Sequence, residues 1–258
     1  ATGSAETPKC HGCMGVRFQT KPGGPAHDII LHVRMMDRYR LQQQESLGVL
    51  GTNLIHSAFY HRKNQEEFVH RLVDNLKKGQ ILIDYFEASG PELEHFDNRR
   101  INLLLVKMGL SEAVLFGSDQ KPQVIADEVF QKALLIQRGH YRPMTTSHQD
   151  MMKKGLEQLK SDIKSLKLKP HDVVTFNEIE ISNTTDLDDI IMRIEMLSLM
   201  GLRVLVTHFP LYYQMKSFFR RYTQNPMILM MSASHLDRIF NPEHYKNLEG
   251  GIFEGLGK

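Results

Sequence analysis

The stretch that most constrains the fold of this chain is residues 171–232. Three apolar runs, at residues 173–181, 202–206 and 227–231, have the length and composition of buried strands. Amphipathic helical patterns at residues 186–200 and 211–223 lie between them. Strands that alternate with helices in this way are parallel and are joined by crossover helices. The stretch therefore predicts an α/β fold with a mainly parallel sheet.

The rest of the chain extends the same alternation to as many as eight strands. An open doubly wound sheet and a distorted (β/α) barrel both fit that number. We favour the open sheet because the predicted helices are uneven in length and the first 60 residues lack clean alternation. Residues 1–25 are predicted to be a mobile, extended N-terminal segment, and residues 26–258 a single α/β domain.

Composition excludes several classes of protein. The formal net charge of +2 gives no electrostatic case for nucleic acid as a partner. No apolar run approaches the roughly 20 residues of a membrane-spanning helix, so we predict no membrane span and a location in the cytoplasm or an organelle matrix. The chain begins with Ala and ends abruptly at Gly255-Leu256-Gly257-Lys258, and we expect a removed targeting segment or a piece of a longer protein.

Cys10-His11-Gly12-Cys13 contains both cysteines of the chain. Such a pair can be a redox dithiol, half of a zinc site or an incidental spacing. A zinc site would need two more ligands, which no further cysteine can supply, and a redox dithiol usually opens a helix that follows a strand. We favour the incidental interpretation, so Cys10 and Cys13 are weak metal candidates, and no cofactor is predicted.

Polar residues at the carboxyl ends of the predicted strands are the candidates for chemistry, because ligands of open parallel sheets bind there. Glu178 and His208 are predicted as an acid–base pair. Arg138, His140 and Arg142 are predicted to hold an anion, since arginine donors match phosphate or carboxylate oxygens. The alternative is structural, because strand ends meet solvent and carry polar residues in any case.

Gly48 and Gly51 lie inside a helical pattern at residues 42–60. This segment lacks the third glycine, or the Lys-Ser/Thr, of phosphate-binding loops. The pattern therefore favours close helix packing over a nucleotide site. The 14 methionines are expected to fill apolar faces.

Several runs together resemble a family of large, mostly bacterial proteins whose members often carry the names nicotinate-nucleotide adenylyltransferase or TonB-dependent receptor. In the first half of the chain the matching runs are Cys10-His11-Gly12, Gly15-Val16-Arg17-Phe18-Gln19, Ile30-Leu31-His32-Val33-Arg34-Met35, Gln44-Glu45-Ser46-Leu47-Gly48, Asn53-Leu54-Ile55, Ala58-Phe59-Tyr60 and Asp97-Asn98-Arg99. In the second half they are Arg138-Gly139, Arg142-Pro143, Arg221-Tyr222-Thr223 and Leu248-Glu249-Gly250-Gly251-Ile252. The resemblance implies that this chain corresponds to the C-terminal portion of a longer pattern.

Neither family name matches the residues. The chain has no His-x-Gly-His loop, which adenylyltransferases of that kind use, and its helix-rich pattern is unlike that of a receptor in the outer membrane. Two functions follow as expectations. The first is a structural or scaffolding subunit whose partners are other protein subunits or the missing N-terminal portion of its own pattern. The alternative is an enzyme or binding domain for a phosphorylated or nucleotide-like small metabolite at the strand ends.

Overall fold

The computed structural model of the chain describes residues 10–165 and 172–257. Its strands are β1 His11–Phe18, β2 His27–Met35, β3 Ile81–Ser89, β4 Ala113–Phe116, β5 Pro122–Gln123, β6 Ala133–Arg138, β7 Val173–Glu180, β8 Val204–Thr207 and β9 Met227–Met230. Its α-helices are α1 Arg40–Tyr60, α2 Gln65–Leu72, α3 Asn98–Lys107, α4 Ile125–Val129, α5 Thr146–Ser165, α6 Leu187–Leu199, α7 Tyr212–Phe219, α8 Ala233–Phe240 and α9 Gly251–Gly257.

The strands form two sheets. β1, β2 and β3 make a three-stranded sheet in that order, and both of its strand pairs are antiparallel. The other sheet has six strands in the order β5-β4-β8-β7-β6-β9. Three of its strand pairs are parallel: β6 with β7, β6 with β9, and β7 with β8. The predicted α/β class with a mostly parallel sheet is confirmed, whereas the antiparallel sheet was not predicted.

The strand–helix–strand–helix–strand pattern of residues 171–232 is confirmed as β7, α6, β8, α7 and β9. The last strand does not lie beside β8. It pairs instead with the far side of β6, where Leu135 is opposite Ile228. The chain therefore crosses back over β7 and β6 after β8, because β9 follows β6 in the order of the sheet and runs parallel to it.

Helices pack on both faces of these parallel strands. Leu159 and Ile163 of α5 form a buried cluster with Ala133 and Leu135. Phe219 of α7 stacks on Phe176 of β7, with 6.4 Å between the ring centroids. Phe176 is opposite Ile136 in the register, one residue beyond Leu135. Because successive side chains of a strand point to opposite faces, α5 and α7 cover different sides of the sheet.

The chain divides into two compact units, which differs from the single domain predicted for residues 26–258. The first unit takes the chain up to Val114, with residues 121–123 and 182–191. The second takes residues 115–120, 124–181 and those from Met192 onward. Of the predicted N-terminal segment, residues 1–9 lie outside the described part, and residues 11–18 form β1 and pair with β2.

Two asparagines of α3 cover the free edge of the antiparallel sheet in the first unit. Asn102 Oδ1 accepts from the Phe86 N–H at 3.0 Å, and its Nδ2 donates to the Phe86 carbonyl at 2.8 Å. Asn98, one turn earlier, makes the same two bonds with Ala88, at 2.9 and 3.1 Å. β3 lies at the edge of its sheet, so these amides replace the ladder bonds of a further strand.

An ion pair joins β2 and β3 in the same sheet. Arg34 Nη2 donates to Asp84 Oδ2 at 2.7 Å, and His32 Nδ1 lies 3.6 Å from the same oxygen. Burial alone raises the pKa of the Asp84 carboxyl, but His32 and Arg34 together lower it below its ordinary value of 3.8. A carboxylate with a lowered pKa in the folded state stabilises the fold above its ordinary pKa.

We therefore expect Asp84→Asn to destabilise the protein at neutral pH, and the difference from the unaltered protein to shrink as the pH falls. The contribution of the carboxylate is complete above 3.8 and is lost as the pH falls through the lower, folded-state pKa. Urea unfolding of both proteins from pH 7 down to about pH 2 measures this difference. A difference that stays constant over the whole range would contradict the assignment.

Candidate functional site

The carboxyl ends of β6, β7 and β8, in the second unit, are joined by a buried ion pair. Arg138 is the last residue of β6 and lies opposite Glu178 of β7 in the register. Its Nε donates to Glu178 Oε2 at 2.6 Å, and its Nη2 donates to Glu178 Oε1 at 2.9 Å. Arg138 is 8% exposed and Glu178 is fully buried. This two-bond geometry is the strongest pairing that the two side chains can make.

Other groups complete the hydrogen bonding of this pair. The Thr207 hydroxyl, at the end of β8, donates to Glu178 Oε1 at 2.5 Å. The Phe209 carbonyl accepts from Arg138 Nη2 at 2.7 Å. The guanidinium also lies over the ring of Tyr212, with its carbon 4.7 Å from the ring centroid. We call Arg138, Glu178 and Thr207 the strand-end network.

Burial and charge act in opposite directions on the two members of the ion pair. Burial lowers the pKa of the Arg138 guanidinium, but the charge and hydrogen bonds of Glu178 outweigh it, and the pKa of Arg138 is raised. For the Glu178 carboxyl, complete burial raises the pKa, while Arg138 and Thr207 favour the carboxylate and lower it. The burial effect is the larger for Glu178, so its pKa lies above the ordinary value.

The loop after β6 is held by a buried tyrosine. The Tyr141 hydroxyl donates to the Gln137 carbonyl at 2.6 Å and accepts from Asn177 Nδ2 at 3.1 Å. Tyr141 has a left-handed φ of 49°. A Cβ at Gly139 would lie 2.9 Å from the Tyr141 ring. Glycine is therefore required at 139 for the loop to close over this side chain.

The three residues predicted to hold an anion occupy different environments. The Arg138 side chain is buried against Glu178, whereas His140 and Arg142 lie exposed on the following loop. The main-chain carbonyl of His140 accepts from Arg193 Nη1 at 3.1 Å. The Arg138 nitrogen that makes no bond to Glu178 is Nη1, and it lies 3.5 Å from Glu180 Oε2, so an anion held by all three would approach Arg138 beside a carboxylate.

The predicted acid–base residues lie on neighbouring strand ends. The carboxylate oxygens of Glu178 bond to Arg138 and Thr207. His208 follows β8 directly, and its Nδ1 lies 3.1 Å from the Ile181 carbonyl. The Glu178 carboxylate is thus paired with the Arg138 guanidinium, and the His208 ring contacts the Ile181 carbonyl, directly after β7.

Position at a strand end identified Glu178 as a polar residue of interest. Tyr141, Tyr212 and the Phe209 carbonyl, by contrast, were missed. The only signal for Tyr141 was its place two residues after Gly139, which does not by itself predict a buried ring.

The Cys10-x-x-Cys13 segment is extended. The two cysteines form no disulfide, and both are exposed. Cys13 lies in β1 opposite His32, and the Cys10 carbonyl accepts from the Met35 N–H at 2.8 Å, so the strand pairing continues to Cys10. At a rise of roughly 3.3 Å per residue the two Cα atoms are about 10 Å apart, which is too far for a disulfide. This conformation disfavours the dithiol interpretation.

Neither a clustered metal site nor a membrane-spanning helix occurs in the described residues. Within residues 10–165 and 172–257, no three side chains of His, Cys, Asp or Glu come together as a metal ion would require. No described helix combines the length and the apolar character needed to cross a bilayer.

No protein-family model, curated protein or solved structure matches this chain. The family resemblance therefore stays a prediction.

Proposed function

We propose that the protein is a structural or scaffolding subunit of a larger protein assembly, and that the exposed face of α1 docks a helix of another polypeptide. The observation that carries this proposal is that α1 has apolar side chains on two faces. The described residues bury one face and cover the other in part, where the Phe59 ring lies 5.3 Å from the Phe18 ring of β1. A helix of this kind is typical of a packed interior, where neighbours cover it on more than one side.

The covered face of α1 packs within the first unit. It includes Leu50, Leu54 and Ala58, which are at most 1% exposed. The other face carries Leu41, Gly48, Thr52, Ile55 and Phe59, spaced seven, four, three and four residues apart. This spacing places the five residues in one stripe along the helix. We call them the α1 stripe.

The apolar members of the α1 stripe are well exposed. Leu41 is 61% exposed, Ile55 53% and Phe59 42%. The one hydroxyl of the stripe, on Thr52, donates to the Gly48 carbonyl at 3.0 Å. Between Leu41 and Gly48 the same side of the helix carries the exposed Gln44 and Glu45. From Gly48 to Phe59 the stripe presents apolar surface and a hydroxyl that already has a partner, a combination suited to burial against another apolar surface.

Gly48 lies in the middle of the α1 stripe and has no packing explanation within the described part of this chain. A Cβ added there would meet no atom within 4 Å. Glycine inside a helix destabilises it by roughly 0.5–1 kcal/mol relative to alanine. A helix from a partner that approaches closely at this point would explain the glycine, because a side chain there would hold the two helices apart.

The strand-end network supports a structural role for the second unit. Arg138 and Glu178 satisfy each other, and Thr207 and the Phe209 carbonyl supply further bonds. A buried ion pair with satisfied partners fixes one arrangement of β6, β7 and β8. We also propose that the parallel sheet is an open doubly wound sheet, which is supported by α5 and α7 on its opposite faces.

Gly48→Ala should raise the stability of the free chain and weaken its incorporation into the assembly. We expect the free chain to become more stable by about 0.5–1 kcal/mol, because alanine is the better helix former and its methyl group meets open space. We expect the same substitution to weaken incorporation into the assembly, because the methyl group lies in the docking face. Urea unfolding measures the first effect, and native mass spectrometry of the tagged chain expressed in its source measures the second.

Gly51→Ala is the matched control in the same helix. A Cβ at Gly51 would meet the Met14 methyl at 3.5 Å, an ordinary contact with β1. It should therefore raise the stability of the chain without changing its incorporation. Equal incorporation of Gly48→Ala and the unaltered protein would count against docking at the α1 stripe.

A second candidate is an enzyme or binding domain for a phosphorylated or nucleotide-like metabolite at the strand ends. Its support is the convergence of Arg138, Glu178 and Thr207 at adjoining strand ends. Isothermal titration with pyrophosphate tests it. Binding by the unaltered protein that is lost in Arg142→Ala would favour this candidate over the scaffold.

Membership of the resembled family, and a cytoplasmic or organelle-matrix location, remain part of the proposal.

A further inference from the structure

A cavity in the second unit lies beside α5. Its volume is about 370 Å³, which is within the roughly 300–1,000 Å³ of small-molecule sites and near the lower limit. Met152, Lys153 and Leu156 of α5 line it, together with Met144 and with Met200 and Leu202. Two uncharged polar side chains, Gln149 of α5 and Asn177 of β7, complete the lining. The cavity thus lies between α5 and the turn that leads from α6 into β8.

The lining is suited to an unbranched apolar chain. Three of its residues are methionines, whose flexible, unbranched side chains adapt to the shape of what they contact. Leu156 and Leu202 add rigid apolar surface. The sequence led us to expect that the methionines fill apolar faces, but at this place they surround an open space.

Lys153 is the charged residue of this lining. It lines the cavity and is itself exposed, so its flexible side chain can bring the ammonium group to the edge of an apolar space. The next residue, Lys154, is engaged elsewhere, because its Nζ donates to Glu157 Oε2 at 3.0 Å. A cation beside an apolar space suits a ligand with an apolar body and one anionic end.

We propose that this cavity binds a medium-chain carboxylic acid, with its hydrocarbon chain among the three methionines and its carboxylate beside Lys153. The cavity shares no residue with the α1 stripe or with the strand-end network. It therefore adds a ligand to the proposed scaffold and does not depend on docking at α1.

Methionine methyl groups report directly on this site. The test is a titration of the protein, labelled with ¹³C at the methionine methyl groups, with octanoate. We expect the signals of Met144, Met152 and Met200 to shift together with a single affinity. The signals of Met151, the neighbour of Met152 in α5, and of Met14 in β1 are the internal controls and should stay in place.

A second ligand, octanol, and a matched pair of lysine variants distinguish the contribution of charge to octanoate binding from that of apolar contact. Lys153→Gln should weaken octanoate binding about fivefold, as loss of one exposed charge pair predicts, and should leave the binding of neutral octanol unchanged. Lys154→Gln, one residue further along, should leave both affinities unchanged. Both lysines are exposed, so neither substitution threatens the fold.

Three results would overturn the proposal. The first is the absence of shifts at Met144, Met152 and Met200 when octanoate is added. The second is a pattern of shifts that includes Met14 and Met151 equally. The third is an octanoate affinity that Lys153→Gln leaves as it is in the unaltered protein.

Discussion

Replacing Glu178 with alanine should destabilise the second unit by about 3–5 kcal/mol, because the substitution leaves the charge of Arg138 buried without its partner. Arg138 is 8% exposed, and both of its bonds to Glu178 are shorter than 3 Å. The Phe209 carbonyl and the Tyr212 ring remain after the substitution, but neither carries a negative charge. Glu180 remains as well, with Oε2 3.5 Å from Arg138 Nη1 and its side chain 31% exposed, so it offsets only part of the buried charge.

Chemical denaturation followed by circular dichroism measures this loss, and hydrogen exchange at the amides of β6 and β7 locates it in the second unit. Exchange is needed because two compact units need not unfold together. Glu180→Ala is the control on the same strand. Glu180 Oε2 is 3.5 Å from Arg138 Nη1 and its side chain is 31% exposed, so its removal should have an effect of at most about 1 kcal/mol.

The double replacement Arg138→Met with Glu178→Leu separates the charge from the packing. Removing both charges leaves no buried ion behind, so the double variant should be much more stable than Glu178→Ala alone. Destabilisation by Glu178→Ala that is no larger than that of Glu180→Ala would show that the pair does not hold the strand ends together.

Asn102→Ala should destabilise the first unit by about 2–6 kcal/mol. The substitution leaves the N–H and the carbonyl of Phe86 without partners in a buried position, and each such group costs about 1–3 kcal/mol. Asn102 is 2% exposed and Phe86 is fully buried, so water does not replace the amide. The expected result is a lower denaturation midpoint together with faster exchange of the Phe86 amide.

Asn98→Ala is the matched control for this prediction. It removes the same two bonds, to Ala88, one turn earlier on α3. Asn98 is only half-buried, so water reaches Ala88 more readily and the loss should be smaller. Equal losses for the two variants would show that burial does not set the size of the effect.

The parallel part of the fold could be predicted from the sequence because its strands are short apolar runs separated by helices. The position of β9 beside β6 could not, since an apolar run specifies burial and not its neighbour. The apolar repeat of Phe68, Leu72 and Leu76 predicts a helix over residues 65–78. The helix ends at Leu72 instead, and Asn75 has a left-handed φ of 62°, so periodicity alone places the boundary too late.

The positions of the site residues near the strand ends could be predicted from the sequence, but their contacts with each other could not. Glu178 and Arg138 were identified because they stand at strand ends, as the fold confirms. Their pairing with each other depends on the register of β6 against β7, which no local pattern encodes. The cover of β3 by Asn98 and Asn102 was missed for a similar reason, because it requires α3 to lie against the sheet edge.

The central claim, docking of another polypeptide on the α1 stripe, is tested most directly by site-specific photo-crosslinking in the protein's own source, followed by native mass spectrometry. A photoreactive residue at Thr52 places the probe within the stripe, and one at Lys154, exposed on α5, is the control. We expect a complex of higher mass in which one partner polypeptide is crosslinked from Thr52 and not from Lys154. A free chain without crosslinked partner, or the same partner from both positions, would contradict docking at this face.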